Sequence, residues 1–168
     1  MEDGKNRPVH MTPQQELEQR QRVLVADDDQ SIRQLVSTIV KREQFAVDTA
    51  IDGLEAIEHL KNHEYAVVLL DLMMPRMDGF GVIEWLKQNP PLIKPIIIVI
   101  TAYADQRFKE VDSELVSGVL RKPFEVAELG DLIRACVTGF TEELSQKLFF
   151  SKDRAIRDFV RGGNDHDS

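Results

Sequence analysis

The 168-residue chain is 42% hydrophobic, enough to build a globular core, and carries a formal net charge of −8. This composition argues against wholesale disorder, and the negative charge argues against direct binding of nucleic acid through a basic surface. The single cysteine excludes an intrachain disulfide. No apolar run approaches the roughly 20 residues of a membrane span, and the polar N-terminus does not resemble a signal peptide. We therefore expect a cytoplasmic protein that binds neither nucleic acid nor membranes directly.

The chain begins with a polar segment, residues 1–21, which predicts a mobile N-terminal arm. The first apolar run, Val23–Ala26, predicts a buried strand and stops at three consecutive acids that begin with Asp27. Apolar residues within 32–40 then recur at helical spacing. They predict an amphipathic helix with an aspartate as its N-cap.

Two further pairs of strand and helix follow. The mixed run Phe45–Ala50 predicts an edge strand, and residues 54–60 predict the second helix. The uniformly apolar run Ala66–Leu70 predicts a strand covered on both faces, and it ends at Asp71. After a turn-rich segment, residues 80–86 predict the third helix.

The last third of the domain repeats the alternation. Ile96–Ile100 is the most hydrophobic run and predicts a central strand that stops at Thr101. Residues 108–115 predict the fourth helix and Gly118–Leu120 a short fifth strand at the sheet edge. Residues 126–137 predict the fifth helix.

This order of elements predicts an α/β fold. Five strands that alternate with five helices are typical of a doubly wound parallel sheet with right-handed crossovers. The most apolar strands, the first, third and fourth, belong in the middle, which predicts the strand order 2-1-3-4-5 with a switch point between strands 1 and 3. We divide the chain into an arm (1–21), one α/β domain (22–138) and a helical tail (139–168).

Polar residues follow the carboxyl ends of four predicted strands: Asp27-Asp28, Asp71, Thr101 and Lys122-Pro123. Parallel strands bring these ends to one edge of the sheet. Carboxylates about 4 Å apart repel by on the order of 4 kcal/mol per pair at an effective dielectric of about 20, so the acids need a cation or raised pKa values. Their oxygen ligands favour Mg²⁺ or Mn²⁺, while the lysine and the threonine suit a phosphoryl group. The pattern predicts phosphoryl transfer to a carboxylate.

From Arg22 to about Thr138 the chain resembles the receiver domain of two-component response regulators, the CheY-like proteins. Four motifs carry the resemblance, in the order and spacing of that family: VLVADDDQSIR, VVLLDLMMPRMDGFGVI, IIIVITA and GVLRKPF. The resemblance implies a flavodoxin-like fold and a phosphorelay switch that acts through protein contacts. It implies no enzymatic activity beyond Mg²⁺-dependent self-phosphorylation and self-dephosphorylation.

The resemblance also implies a role for each site residue. Asp71 would accept a phosphoryl group from a histidine kinase or phosphotransfer protein. Asp28 and Asp71 would bind Mg²⁺ together with the backbone carbonyl of Met73, and Asp27 would act through water. The remaining two residues, Thr101 and Lys122, would contact the phosphoryl group, and the Lys122-Pro123 bond would be cis. Phosphorylation would repack the surface of the fourth helix, fifth strand and fifth helix, which a downstream protein reads.

Two departures from the family pattern affect these expectations. Val119 stands where the family has its switch aromatic, and Tyr103 or Phe124 could serve in its place. Bulky residues stand two positions beyond the acceptor, at Met73, and two beyond Thr101, at Tyr103. In this family such residues hinder the hydrolytic water, which predicts a long-lived acyl phosphate.

One alternative is a haloacid-dehalogenase-type phosphatase, which also uses an aspartate, a threonine or serine and a lysine on a parallel sheet. That family needs an acidic pair after the lysine. A trial at Gly130-Asp131 fails because Ala135 takes the place of the second acid, and Asp71 would have no role.

A second alternative is that the receiver is the input domain of a longer multidomain regulator. We expect a free-standing receiver, because no recognisable DNA-binding or catalytic domain fits within residues 139–168. That tail carries two apolar groups at helical spacing, one within 144–150 and one within 156–160. We expect them to fold back over the domain, to form a homodimer contact or to dock another partner.

Two other features receive ordinary structural interpretations. His59 and His63 share one helix face, and without further ligands the pattern favours solvated side chains over a metal site. Cys136 lies in the apolar pattern of the fifth helix and is interpreted as a small core residue.

Overall fold

The computed structural model describes residues 21–102 and 115–139. Five parallel strands form one sheet in the order β2-β1-β3-β4-β5, which confirms the predicted topology. The strands are β1 (Arg22–Ala26), β2 (Ala46–Ala50), β3 (Val67–Leu70), β4 (Ile96–Thr101) and β5 (Val116–Arg121). β5 is longer than predicted. Its pairing with β4 shifts register between Ile97 and Ile98.

Helices connect the strands across both faces of the sheet. They are α1 (Gln30–Arg42), α2 (Gly53–Asn62), α3 (Gly79–Gln88) and α4, the helix at 126–139 that corresponds to the fifth predicted one. The fourth predicted helix lies almost entirely outside the described residues, as do the predicted arm up to residue 20 and the tail from residue 140. Among the described helices, none has the length and apolar character needed to cross a membrane.

Two apolar clusters fill the core, one on each face of the sheet. Val23 and Val25 of β1 belong to the cluster under α1 and α4, whereas Leu24 and Ala26 belong to the cluster under α2 and α3. This division follows from the alternation of side chains along a strand. All of β3 is buried. The central position of β1 and β3 therefore follows from their uniformly apolar sequence.

Aspartates begin the first three helices, as the sequence predicts for α1. The Asp29 carboxylate accepts hydrogen bonds from the amides of Ser31 and Ile32 at 2.8 and 3.1 Å. Asp52 and Asp78 cap α2 and α3 in the same way. These caps satisfy amides that have no partner within the helix.

Asp52 differs from the other caps because it also binds the loop that follows β3. Its side chain is 1% exposed, and it forms an ion pair with Arg76. Burial opposes ionisation, but the Glu55 amide and the Arg76 guanidinium lower the pKa of Asp52 below its usual value. The amide of Gly53 donates to the carbonyl of Met77 at 2.9 Å. The start of α2 is thus fastened to the loop that carries the residues after Asp71.

We predict that Asp52→Ala lowers the free energy of unfolding by about 1–3 kcal/mol at neutral pH, since it removes a cap and leaves Arg76 unpaired. Asp29→Ala removes an exposed cap and should cost about 1 kcal/mol or less. Because the folded pKa of Asp52 lies below the unfolded one, its contribution is present above the unfolded pKa and fades as pH falls through the folded value. Urea unfolding at several pH values measures both effects. Equal losses in the two variants at neutral pH would contradict this role of Asp52.

Candidate functional site

The predicted site residues meet at the carboxyl edge of the sheet. The amide of Asp71 donates to the carbonyl of Ala26 at 2.8 Å, so the pairing of β1 with β3 continues into the site. The amide of Lys122 donates to the carbonyl of Thr101 at 3.1 Å, so the pairing of β4 with β5 also continues into the site. Asp27 follows β1 directly. The sheet backbone itself therefore sets the spacing of these side chains.

Lys122 joins two of the acids. Its Nζ lies 2.5 Å from Oδ2 of Asp27 and 3.1 Å from Oδ2 of Asp71. The three side chains are 17%, 4% and 7% exposed, respectively. Burial raises the pKa of Asp27 despite the hydrogen bond from Lys122. Burial would lower the pKa of Lys122, but its bond to Asp27 and the charges of both acids outweigh this and raise that pKa. The site therefore keeps an ammonium ion against its carboxylates.

The third acid, Asp28, is exposed and completes the cluster. One carboxylate oxygen each from Asp27, Asp28 and Asp71 lie within 4.8 Å of one another. Arg33 donates to the carbonyls of Asp27 and Asp28 at 2.7 and 2.9 Å, and the amide of Asp29 donates to Oδ1 of Asp27 at 2.9 Å. This set of oxygen donors fits a hard divalent cation such as Mg²⁺.

The loop after β3 packs closely on Asp71. The amide of Met73 donates to Oδ1 of Asp71 at 3.1 Å, and the amide of Gly79 donates to the carbonyl of Leu72 at 3.1 Å. A Cβ atom at Gly79 would lie 2.4 Å from the carbonyl oxygen of Asp71. A side chain at this position would therefore force the start of α3 away from the site.

The structure brings the predicted acids and the lysine together and places the other predicted residues at the same edge. Thr101 is fully buried as the last residue of β4, and the side chain of Met73 is 46% exposed. The Lys122-Pro123 bond is cis, as predicted. Sequence reasoning did not assign a role to Arg33. The signal available was its position within the first motif, on the first turn of α1.

Together these features define a class: a doubly wound α/β domain with an acidic, lysine-containing site at the switch point of its sheet. The family model of the response regulator receiver domain matches residues 23–134. The chain therefore belongs to the response regulator receiver family, whose domains act in two-component signalling. Receiver domains are generally signalling domains rather than enzymes, and they bind Mg²⁺ at an acidic pocket.

Curated relatives agree with this assignment. Protein PilG of Pseudomonas aeruginosa is 32% identical over 122 residues, which cover 71% of this chain and 90% of PilG. The transcriptional regulatory protein GltR of the same species is 34% identical over 114 residues, which cover 67% of this chain and 47% of GltR. The chain spans about half the length of most of the curated relatives compared.

Solved structures agree as well. The receiver domain of a response regulator from Bermanella marisrubri is 34% identical with a TM-score of 0.64, covering 71% of this chain and 99% of that one. The response regulator TrrA from Thermotoga maritima, crystallised in complex with Mg(2+)-BeF, is 28% identical with a TM-score of 0.61. That match covers 69% of this chain and 98% of TrrA.

We predict that Mg²⁺ binds weakly and raises the thermal midpoint of unfolding, because it offsets the repulsion among the three acids. Asp28→Ala should abolish most of this rise. Without Mg²⁺ the same variant should be more stable than the unchanged chain by about 1 kcal/mol, the interaction of two unit charges about 4 Å apart in water. Fluorescence of Trp85, the sole tryptophan, reports unfolding.

Asp131→Ala is the matched control, since its exposed carboxylate on α4 pairs with Arg134 outside the acidic site. It should respond to Mg²⁺ as the unchanged chain does. An undiminished response to Mg²⁺ in Asp28→Ala would place the metal elsewhere.

Proposed function

We propose that Asp71 is the residue that accepts a phosphoryl group from a phosphohistidine of a histidine kinase or phosphotransfer protein. The observation that carries this proposal is the ammonium group of Lys122 between Asp27 and Asp71, beside the exposed acid Asp28. A buried carboxylate with a positive charge at one oxygen and a cation-binding cluster beside it suits attack on an incoming phosphoryl group.

The transfer follows from the groups at the site. A carboxylate oxygen of Asp71 attacks phosphorus, an O–P bond forms, and the N–P bond to the imidazole breaks with its electron pair remaining on the imidazole. Lys122 would move from the carboxylates to a phosphoryl oxygen, and the hydroxyl of Thr101 would donate to another. Asp28, Asp71 and the carbonyl of Met73 would hold Mg²⁺, with Asp27 acting through water, and the bound ion would supply positive charge that offsets the negative charge of the phosphoryl oxygens.

The acylphosphate would be read at the surface around β5. The register places Val119 opposite Val99, on the sheet face opposite the α1 and α4 cluster to which Leu120 belongs. Phe124, one of the two substitute aromatics, packs against the α1 and α4 cluster, and the other, Tyr103, lies outside the described residues. We infer that the response includes displacement of β5 and Lys122.

The pairing of Lys122 with Asp71 favours this function over a haloacid-dehalogenase-type phosphatase, which would give Asp71 no role. The relatives differ in length, since the match covers 90% of PilG but 47% of GltR. These lengths fit a free-standing receiver and the input domain of a longer regulator, respectively. The downstream protein and a homodimer through the tail remain predictions.

We predict that acetyl phosphate with Mg²⁺ adds one phosphoryl group per chain and that Asp71→Asn abolishes the addition. The reason is that the amide keeps the shape of Asp71 but is a far weaker nucleophile. Intact-protein mass spectrometry measures the added mass. Asp131→Asn, an exposed acid away from the site, should label normally. If Asp71→Asn still gains the mass of a phosphoryl group, Asp71 is not the acceptor.

We further predict that Met73→Ala shortens the lifetime of the acylphosphate severalfold. The Met73 side chain lies two residues beyond Asp71 and is 46% exposed, where it can restrict the approach of water. Loss of the labelled mass after removal of the phosphodonor gives the rate. Leu54→Ala, a comparably exposed apolar residue at 48%, is the control. A lifetime unchanged in Met73→Ala, or shortened equally in both variants, would refute shielding by Met73.

A further inference from the structure

A second group of metal-binding side chains lies on the β2 edge of the sheet. A carboxylate oxygen of Asp48 and one ring nitrogen each of His59 and His63 lie within 4.8 Å of one another. Asp48 belongs to β2, His59 to the last turn of α2, and His63 is its C-cap. The sequence pattern favoured solvated histidines because it offered no third ligand. The fold supplies one by packing the end of α2 against β2.

The first two of these groups are held in orientations that leave ligand atoms available. Nε2 of His59 lies 3.1 Å from the carbonyl oxygen of Thr49, so a neutral imidazole that donates there keeps its lone pair on Nδ1. Oδ2 of Asp48 accepts hydrogen bonds from Arg22 and from the hydroxyl of Tyr65, each at 2.8 Å. Within the described part of the chain, both side-chain hydrogen bonds of Asp48 fall on this oxygen, which leaves Oδ1 with its lone pairs. Outer partners of this kind are what orient ligands at metal centres.

We propose that Asp48, His59 and His63 form a second metal site, selective for a divalent transition-metal ion of the zinc type. Two imidazoles and one carboxylate with an open fourth position match a tetrahedral zinc centre. The ring centroids of the two histidines are 6.4 Å apart. His63 is exposed, and rotation of its ring would bring the three ligands closer around an ion.

The site differs in kind from the acidic cluster at Asp71. Imidazole ligands favour zinc, copper or nickel, whereas three carboxylates favour Mg²⁺. The guanidinium of Arg22, paired with Asp48, repels a cation and limits the affinity. A bound ion would clamp the edge strand β2 to the end of α2 and so stabilise the fold in proportion to its occupancy. This inference does not depend on the proposed function, because it involves none of the residues of the phosphorylation site.

The experiment is a Zn²⁺ titration of the full chain against a chromophoric competing chelator, with saturating Mg²⁺ to fill the acidic cluster. We expect one Zn²⁺ per chain. The double variant His59→Gln/His63→Gln should lose at least about tenfold in affinity, the loss that even outer-shell partners of a ligand produce. The matched control is His10→Gln/His166→Gln, which removes the other two of the four histidines and should bind as the unchanged chain does.

A second readout makes the result independent of how the variants fold. In the unaltered chain, the imidazole ¹⁵N shifts of His59 and His63 should move on addition of Zn²⁺. In the chelator titration, Asp48→Asn should weaken Zn²⁺ binding. Absence of saturable binding, equal affinity in His59→Gln/His63→Gln, or shifts confined to His10 and His166 would each overturn the proposal. Phosphorylation by acetyl phosphate should be normal in His59→Gln/His63→Gln. A failure of the zinc-site proposal is therefore distinguishable from a failure of the proposed function.

Discussion

The contact of one ammonium group with two buried carboxylates is the constraint on which the site depends. Asp27 and Asp71 are both nearly inaccessible to water, and Nζ of Lys122 lies within hydrogen-bond distance of each. Two acids in this position would repel each other strongly without a cation. Lys122 supplies one positive charge. The neighbouring Asp28 adds a further carboxylate ligand, so that a bound metal ion could supply additional positive charge. An anion bound at this site would therefore compete with the two carboxylates for the ammonium group of Lys122.

The parallel sheet is what allows three distant segments to meet this constraint. β1, β3 and β5 all end at the same edge, and main-chain hydrogen bonds continue from the strands into Asp71 and Lys122. Gly79 then permits α3 to begin against the backbone of Asp71. Asp52 fastens the loop between them through Arg76. Because the sheet is rigid, it holds these side chains in precise positions.

Much of this arrangement could be predicted because it follows from apolar runs and from what ends them. The central strands are continuous apolar segments, each stopped by a polar residue, so the strand order and the meeting of Asp27, Asp71 and Lys122 follow from the rules of parallel sheets. The length of β5 could not be predicted in the same way. Val116 and Ser117 lack a strong apolar pattern, and Val116 extends the strand by pairing with Ile97 of β4.

Contacts between segments far apart in the chain could not be predicted from the sequence pattern either. The sequence pattern assigned no role to Asp52, and its ion pair with Arg76 depends on the fold of the loop after β3 against the start of α2. The approach of Asp48 to His59 and His63 likewise requires the packing of α2 on β2. Such contacts are set by tertiary structure, and no local spacing encodes them.

The central claim is that Lys122 leaves its two acids for the phosphoryl group on Asp71. A crystal structure of the chain with Mg²⁺ and beryllium fluoride, a mimic of the phosphoryl group, measures this directly. We expect Nζ of Lys122 to bind a fluoride, and Mg²⁺ to be bound by Asp28, Asp71 and the carbonyl of Met73. Beryllium fluoride on another residue, or Lys122 still bonded to Asp27 beside an occupied Asp71, would contradict it.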